Sequence, residues 1–457
     1  MFGDKARIDE MLEKLNRVSP TFCGAKWLHA TIHLGSGETH SCYLPPVHKI
    51  EPENLIDNPG GLHNTPEKME QRQQMMKGER PSGCHLCWAA EDDPNVDYSD
   101  RQLRSVDDWI MPHLDQLVEA PLEKPVYPTY LEISFSNKCN FKCSYCSPQF
   151  STSWKAEIDK FGPYKLTEGP YLHESHYRLP LKPDQHNPYV EAFWQWLPDL
   201  YPHLQYLRVT GGEPLIVDDT YKLLNWIGDH PNPNLVLSVN SNFGLPEKYQ
   251  KKLFADLKKI EAAKAVRSVD MFTSVDTYGA HAEYLRTGMD FSEFDKSIRE
   301  YLTEFSSSSL SIMCTFNALS VIGFGDFLQW LLELRRTFHN GTRRVYIDTP
   351  HLNGPSYLNA KTLTPRYWKL MEQHIAFCEA HLVDNEKQAG FTAAEVARLR
   401  RVLSFMKNIP SPDWLTTARR DFYFFFKEHD RRRRTSFLDV FPEMEDHWEM
   451  CRQFVEL

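Results

Sequence analysis

Between residues 130 and 349 the chain alternates short β-branched and aromatic runs with longer amphipathic stretches, and this alternation limits the possible folds more than any other feature. Strand patterns lie at 130–135, 206–210, 235–240, 270–275, 310–316 and 345–349. Helical patterns separate them at 190–200, 220–229, 246–262, 294–305 and 324–337. In one of these, Tyr249, Leu253, Leu257 and Ile260 recur at the three-to-four-residue spacing of a single helix face. Repeated strand–helix units build a parallel sheet with right-handed crossovers. Six of them predict an α/β fold, a partial (β/α)6 TIM-like barrel, with its ligand site at the carboxyl ends of the strands. The expected division is an N-terminal unit over 1–120, the barrel over 121–355 and a mostly helical C-terminal extension over 356–457. Residues 161–187, rich in Pro, His, Tyr and Gly, interrupt the first crossover and read as an inserted surface loop or a lid.

The first strand pattern runs directly into Cys139, Cys143 and Cys146, spaced C-x3-C-x2-C. Three thiolates on one short loop can hold three irons of a cubane cluster and leave the fourth iron open to a chelating ligand. Soft thiolate ligands favour iron–sulfur clusters or zinc. A structural zinc is expected to have four protein ligands, so three at this spacing suit it poorly. Zinc, or plain core cysteines, remain as alternatives from spacing alone. A second set lies upstream. Cys23 and Cys42 flank a strand–turn–strand pattern with Gly35, Ser36 and Gly37 at its turn, and Cys84 and Cys87 form a C-x2-C. Four thiolates are the full complement for a 4Fe-4S cluster or for a zinc.

The cysteine loop resembles that of the radical S-adenosylmethionine (SAM) enzymes. A second motif strengthens the likeness: Leu207-Arg208-Val209-Thr210 runs into Gly211-Gly212-Glu213-Pro214. The resemblance implies that Cys139, Cys143 and Cys146 hold a 4Fe-4S cluster whose open iron is chelated by SAM. It implies that Gly211, Gly212 and Glu213 meet the SAM amino group. Glycines let a ligand approach the backbone, and a carboxylate accepts hydrogen bonds from an ammonium. Further along, Asn240 ends the third strand and Ser274 stands in the Ser-x-Asp that closes the fourth. By the same resemblance Ser274 helps to hold the SAM ribose, Arg286 pairs with the SAM carboxylate, and Asn240 and Asn317 contact SAM. Tyr145, inside the loop, approaches the adenine. The N-terminal set is similar to the small twitch domain of relatives of the SPASM group, here placed before the barrel. On that resemblance Cys23, Cys42, Cys84 and Cys87 hold an auxiliary 4Fe-4S cluster, for two clusters in all. Residues 75–79 resemble the helix that leads into the family's C-x2-C.

What the resemblance implies is an enzyme that reductively cleaves SAM to a 5′-deoxyadenosyl radical and abstracts a hydrogen atom from a peptide or small-metabolite substrate. A fully ligated auxiliary cluster favours a net oxidation, either a dehydrogenation or a crosslink. A redox-neutral epimerisation is the alternative, for which Cys314 is a candidate hydrogen donor. A non-catalytic, metal-stapled binding protein is the second alternative. The expected partners are the substrate and an electron donor of flavodoxin or ferredoxin type.

Composition narrows the surroundings. A net charge of -10 and a pI near 6.0 argue against a nucleic-acid partner. The run 431–434, four arginines beside the aromatic stretch 422–426, reads as a solvated helix face next to core aromatics. No apolar run reaches eighteen residues, so no membrane-spanning helix is expected. Ten cysteines with no signal-like apolar start predict a reducing, cytoplasmic setting.

Overall fold

β-branched runs on either side of amphipathic helices bury their apolar faces only by stacking side by side, and the computed structural model shows how this chain does so. It describes residues 5–94, 96–119, 124–167, 169–172, 178, 180–181, 185–385 and 387–454. The chain forms two compact units, one of Met1–Asn137, Pro180–Val239 and Asp256–Val269, the other of Lys138–Leu179, Asn240–Ala255 and Asp270–Leu457.

The main strands are β1 (His29–His33), β2 (Glu38–His40), β3 (His48–Lys49), β4 (Tyr130–Ser134), β5 (Tyr206–Thr210), β6 (Asn232–Asn240), β7 (Val266–Ser274), β8 (Ser309–Met313) and β9 (Val345–Asp348). Within the first unit the order is β6-β5-β4-β1-β2-β3, and within the second it is β9-β8-β7. In the first unit β4 pairs in parallel with β5, and β5 with β6. Leu131 lies opposite Leu207 and Ile133 opposite Val209, and all four are fully buried. In the second unit Asp270–Ser274 of β7 pairs in parallel with β8, and β8 with β9. Helices Pro188–Leu200, Asp218–Asp229, Glu247–Ala262, Phe291–Glu304 and Phe324–Thr337 supply the crossovers, as the periodicity predicts. The fold is α/β with a mostly parallel central sheet, consistent with a partial TIM-like barrel.

The N-terminal hairpin departs from expectation in two ways. Trp27 and Leu28 belong to a short helix, Gly24–Leu28, because the Lys26 N–H bonds back to the Cys23 carbonyl at 3.0 Å. The strand therefore starts at His29. Moreover β1 also pairs in parallel with β4, so the hairpin extends the first unit's sheet rather than standing alone. Gly37 closes the turn at φ +68, and the Tyr189 ring fills the space a Cβ would need. Only glycine satisfies both conditions.

In the second unit part of the 161–187 insertion is ordered as a hairpin, Tyr164–Leu166 against Gly169–Tyr171. The backbone N–H and the hydroxyl of Thr167 both donate to Asp421 Oδ1, at 2.7 and 2.6 Å, on helix Pro412–Arg433. His173 and His176 lie outside the described residues. The arginine run corrects the expectation of a solvated face. Arg431 is exposed, but the Arg432 and Arg433 side chains are only 1% and 5% exposed. They turn inward onto Glu157, with Arg433 Nη2 at 3.0 Å and Arg432 Nη1 at 3.7 Å. Arg432 also lies 3.9 Å from the Tyr164 ring centroid. Lys142, inside the cysteine loop, donates to the same carboxylate at 2.8 Å. Burial pushes the Glu157 carboxyl upward, but Arg433 and the bonds from Lys142 and Tyr164 prevail and hold it below its ordinary value. Among the described residues no helix is long and apolar enough to cross a membrane.

Glu157 thus locks the C-terminal helix to the cysteine loop. Glu157→Gln leaves buried cations uncompensated and should cost about 3–5 kcal/mol. A depressed carboxyl stabilises above its unfolded pKa and loses that contribution as pH falls through the folded value. The deficit of the variant, read as a thermal midpoint, should therefore be full at neutral pH and shrink below about pH 4.3.

Candidate active site

The loop that follows β4 is held by its own backbone. Cys146 N–H bonds to the Cys143 carbonyl at 2.9 Å, and Ser144 N–H to the Leu285 carbonyl at 2.8 Å. Cys143 pairs with Arg286 across a two-residue antiparallel ladder. Trp154 Nε1 donates to the Cys143 carbonyl at 2.9 Å, and Tyr357 Oη to the Ser144 carbonyl at 2.8 Å. The Phe141 N–H points at Cys139 Sγ, 3.4 Å away, which suits a sulfur that carries negative charge. The three thiols stand half-buried on this frame. Burial pushes Cys143 upward, against the pull of Arg286, and raises Cys146 with help from the Cys143 charge. Neither thiol ionises readily by itself, so a loaded loop needs a cation to displace the protons.

Behind the loop lies a buried ion pair. Arg286 Nε and Nη2 donate to Asp276 at 2.8 and 3.0 Å, and the two side chains are 6% and 0% exposed. Asp276 Oδ2 accepts from Tyr145 Oη at 2.9 Å, and Oδ1 from the Thr315 N–H, also at 2.9 Å. Arg286 also donates to Tyr145 Oη, and its Nη1 reaches Cys143 Sγ at 3.7 Å. Burial acts against the guanidinium charge, but Asp276, Tyr145 and Cys143 outweigh it and hold Arg286 charged. Burial also keeps the Tyr145 phenol protonated. Arg286, Tyr145 and Cys143 therefore move as one body. Asp276 is the residue that joins them, and the Ser-x-Asp strand end was its signal in the sequence.

The remaining strand-end residues are placed as follows. Ser274 closes β7, and Asn240 closes β6, both half-buried. Asn317 is fully buried, with its amide committed to its own loop: Nδ2 donates to the Thr315 carbonyl at 2.9 Å and Oδ1 accepts from the Leu319 N–H at 3.0 Å. Cys314 is fully buried, its thiol 3.6 Å from the Asp276 carbonyl. In the first unit Gly211 takes φ +131, and a Cβ there would strike Ser134 Oγ at 2.5 Å. Glu213 is 1% exposed, and its Oε1 accepts the Leu215 N–H at 3.1 Å, capping the turn Pro214–Ile216.

The N-terminal cysteines belong to the first unit and line one small cavity of about 30 Å³. Cys23 caps helix Gly24–Leu28, Cys42 follows β2, and Cys84 caps helix His85–Asp92, with Cys87 in its first turn. Burial, and after it the charges of neighbouring cysteines, raise Cys42 and Cys87 to about 12. Ionised together, the four thiolates would repel one another without a strongly cationic centre among them, so the donor set fits a bound metal group. Among the described residues no three His, Cys, Asp or Glu side chains converge on a single ion; the four thiols spread around a cavity instead. Sequence reasoning missed the basic residues of this unit, Lys26, Lys68, Arg72 and Arg101. The (i, i+4) spacing of Lys68 and Arg72 was the available signal.

No protein-family model matches the chain. It is similar to the GTP 3′,8-cyclase of Shewanella denitrificans, 25% identical over 234 residues, which cover 49% of this chain and 58% of that one. It is also similar to the GTP 3′,8-cyclases of Sulfurovum sp., 26% identical over 132 residues (29% and 32% of the two chains), and of Sulfurimonas denitrificans, 27% over 135 residues (29% and 34%). The chain thus spans from about a third to under two thirds of the length of these relatives. With both motifs present in the sequence, the likeness to these relatives supports the radical SAM superfamily.

Asp276→Asn should leave Arg286 buried without its carboxylate, at a cost of about 3–5 kcal/mol. Adding Arg286→Met should restore much of the thermal midpoint, since an apolar replacement of a buried pair is often neutral. Iron held by the loop should stay low in both variants. Full iron in the double variant would show that the pair serves stability alone.

Proposed function

We propose that Cys139, Cys143 and Cys146 hold a 4Fe-4S cluster that SAM completes, and that Cys23, Cys42, Cys84 and Cys87 hold an auxiliary 4Fe-4S cluster in a twitch-like N-terminal region. When bound, the first cluster and SAM supply, on one-electron reduction, a 5′-deoxyadenosyl radical that takes a hydrogen atom from an unactivated carbon. The chain's own residues do the rest. Arg286 and Asp276 fix Tyr145 and the Cys143 strand. Tyr145, Ser274 and Asn240 are the proposed adenosine-side contacts, and Asn317 holds the loop beyond β8 in shape. Where Arg286 meets the SAM carboxylate it does so with the N–H groups that Asp276 leaves to it. Gly211 and Gly212 present backbone to the ligand, and Glu213 accepts the SAM ammonium with the carboxylate that also caps its turn.

The single observation that carries this reading is the division of seven cysteines into a three on one loop and a four around one cavity. A fully ligated auxiliary cluster relays or accepts an electron rather than binding substrate. That supports a net oxidation of a peptide or small metabolite, a dehydrogenation or a crosslink, with a flavodoxin- or ferredoxin-type donor in the cytoplasm. The relatives' names state an action on GTP; at this identity and coverage we carry over their class of chemistry and not their substrate. The alternative is a redox-neutral epimerisation in which the Cys314 thiol returns a hydrogen atom to the substrate; the full burial of that thiol against the Asp276 carbonyl counts against it. Solvent deuterium in the product would support it.

Changing Cys139, Cys143 and Cys146 together to Ala should leave about half the iron and no SAM cleavage. Cys84→Ala should lose auxiliary iron yet keep uncoupled cleavage. Retained cleavage in the triple variant would refute the assignment. Glu213→Ala should weaken SAM binding about ten- to a hundredfold, the equivalent of about 1.5–3 kcal/mol for a charge-assisted bond. Glu213→Gln should weaken it less, because the amide keeps the oxygen that caps Leu215. An unchanged SAM dissociation constant in both, with a lowered thermal midpoint, would leave Glu213 as a cap only.

A further inference from the structure

The first unit buries three cations that form no ion pair with a carboxylate among the described residues. Lys26, Lys68 and Arg72 are 3%, 1% and 1% exposed. Their partners are neutral: Lys26 Nζ donates to Gln71 Oε1 at 2.6 Å, Lys68 Nζ to Thr39 Oγ1 at 2.8 Å, and Arg72 Nη1 to Asn64 Oδ1 at 2.8 Å. Among the described residues none of the three forms an ion pair with a carboxylate. The nearby Arg101 and Arg104 differ, since Glu91 and Asp107 pair with them. The three cations are linked: Arg72 Nε donates to the Lys26 carbonyl at 3.2 Å, and His63 lies between Arg72 at 2.9 Å and Lys68 at 3.4 Å. His63 supplies no counter-charge, because burial and then the two cations drive its pKa down. Burial, with Arg72 and Lys26, drives Lys68 well below its ordinary value, against Cys42 and Glu67, and burial drives Arg72 to about 9.

A buried cation without an anion is costly, so it either gives up its proton or is completed by negative charge, and a guanidinium such as Arg72 keeps its proton. Lys26 lines the four-cysteine cavity itself. Four thiolates around a cluster core of charge +2 give a complex of charge -2, and one-electron reduction makes it -3. We propose that Lys26, Lys68 and Arg72 form a buried cationic shell for the cluster bound by Cys23, Cys42, Cys84 and Cys87, and that this shell raises its reduction potential. The proposal rests on the auxiliary-cluster reading above and explains why that cluster takes up an electron. A cation at fixed distance favours the -3 state over the -2 state in proportion to the added charge. In this low-dielectric setting the preference is not screened away.

The test uses the full chain with Cys139, Cys143 and Cys146 changed to Ala, so that the auxiliary cluster is observed alone. It is titrated with dithionite against redox mediators and followed by electron paramagnetic resonance. Lys68→Met should lower the reduced-to-oxidised ratio at a fixed potential about tenfold, equivalent to about 59 mV for one electron. Lys26→Met should act in the same direction, and Lys26→Arg should leave the potential in place. A second readout separates charge from packing. Without the metal group, Lys68→Met should raise the thermal midpoint, because it removes a buried amine that has no anion bonded to it. With the group bound, it should lower the midpoint or leave it unchanged. If Lys68→Met does not fold, Lys26→Met at the cavity wall carries both measurements. Unmoved potentials, with equal midpoint shifts in the bare and loaded protein, would overturn the shell and leave the auxiliary cluster standing. Zinc, or no metal, at the four cysteines would overturn the cluster reading and the shell with it.

Discussion

The Arg286–Asp276 pair is the interaction on which the candidate site of the second unit depends. Asp276 gives one oxygen to Tyr145 and the other to the Thr315 backbone, and binds Arg286 with both. Arg286 in turn shares a strand ladder with Cys143. The carboxylate that ends one strand therefore sets the position of a loop more than a hundred residues earlier. A buried pair of this kind adds little net stability against an apolar substitute. Its value lies in specificity of geometry: a short loop with three cysteines has many possible shapes, and this contact admits one.

A second carboxylate performs the same kind of task on the other side of the loop. Glu157 collects Lys142, Arg432 and Arg433, and so ties the loop to a helix near the end of the chain. Both devices use charge inside an apolar frame, where a wrong partner or a missing one is heavily penalised. They account for the presence of arginines in a region otherwise packed with Phe and Tyr rings.

Much of this was legible in the sequence. Periodicity placed β5 at its observed bounds and found all five crossover helices, because their burial patterns repeat cleanly along the chain. It missed the first residues of β6 and β7, where Pro233, Asn234 and Arg267 mask strands that pairing alone defines. It also missed that the N-terminal hairpin joins the sheet of its unit, since β1 gains that place by pairing with a strand a hundred residues away. The arginine run misled for a related reason. Composition suggests solvent, whereas the partner that draws Arg432 and Arg433 inward is Glu157, more than 270 residues earlier. The cysteines were legible because their chemistry lies in local spacing. The cations Lys26, Lys68 and Arg72 were not, because only the folded unit shows that, among the described residues, no carboxylate forms an ion pair with them.

The central claim is that the chain carries two clusters of different character, one open to SAM and one closed. The most direct measurement is electron paramagnetic resonance of the reconstituted, dithionite-reduced full chain, recorded with and without SAM. The account predicts two signals, of which SAM shifts one and leaves the other unaltered. A single signal, or two that SAM leaves untouched, would contradict it.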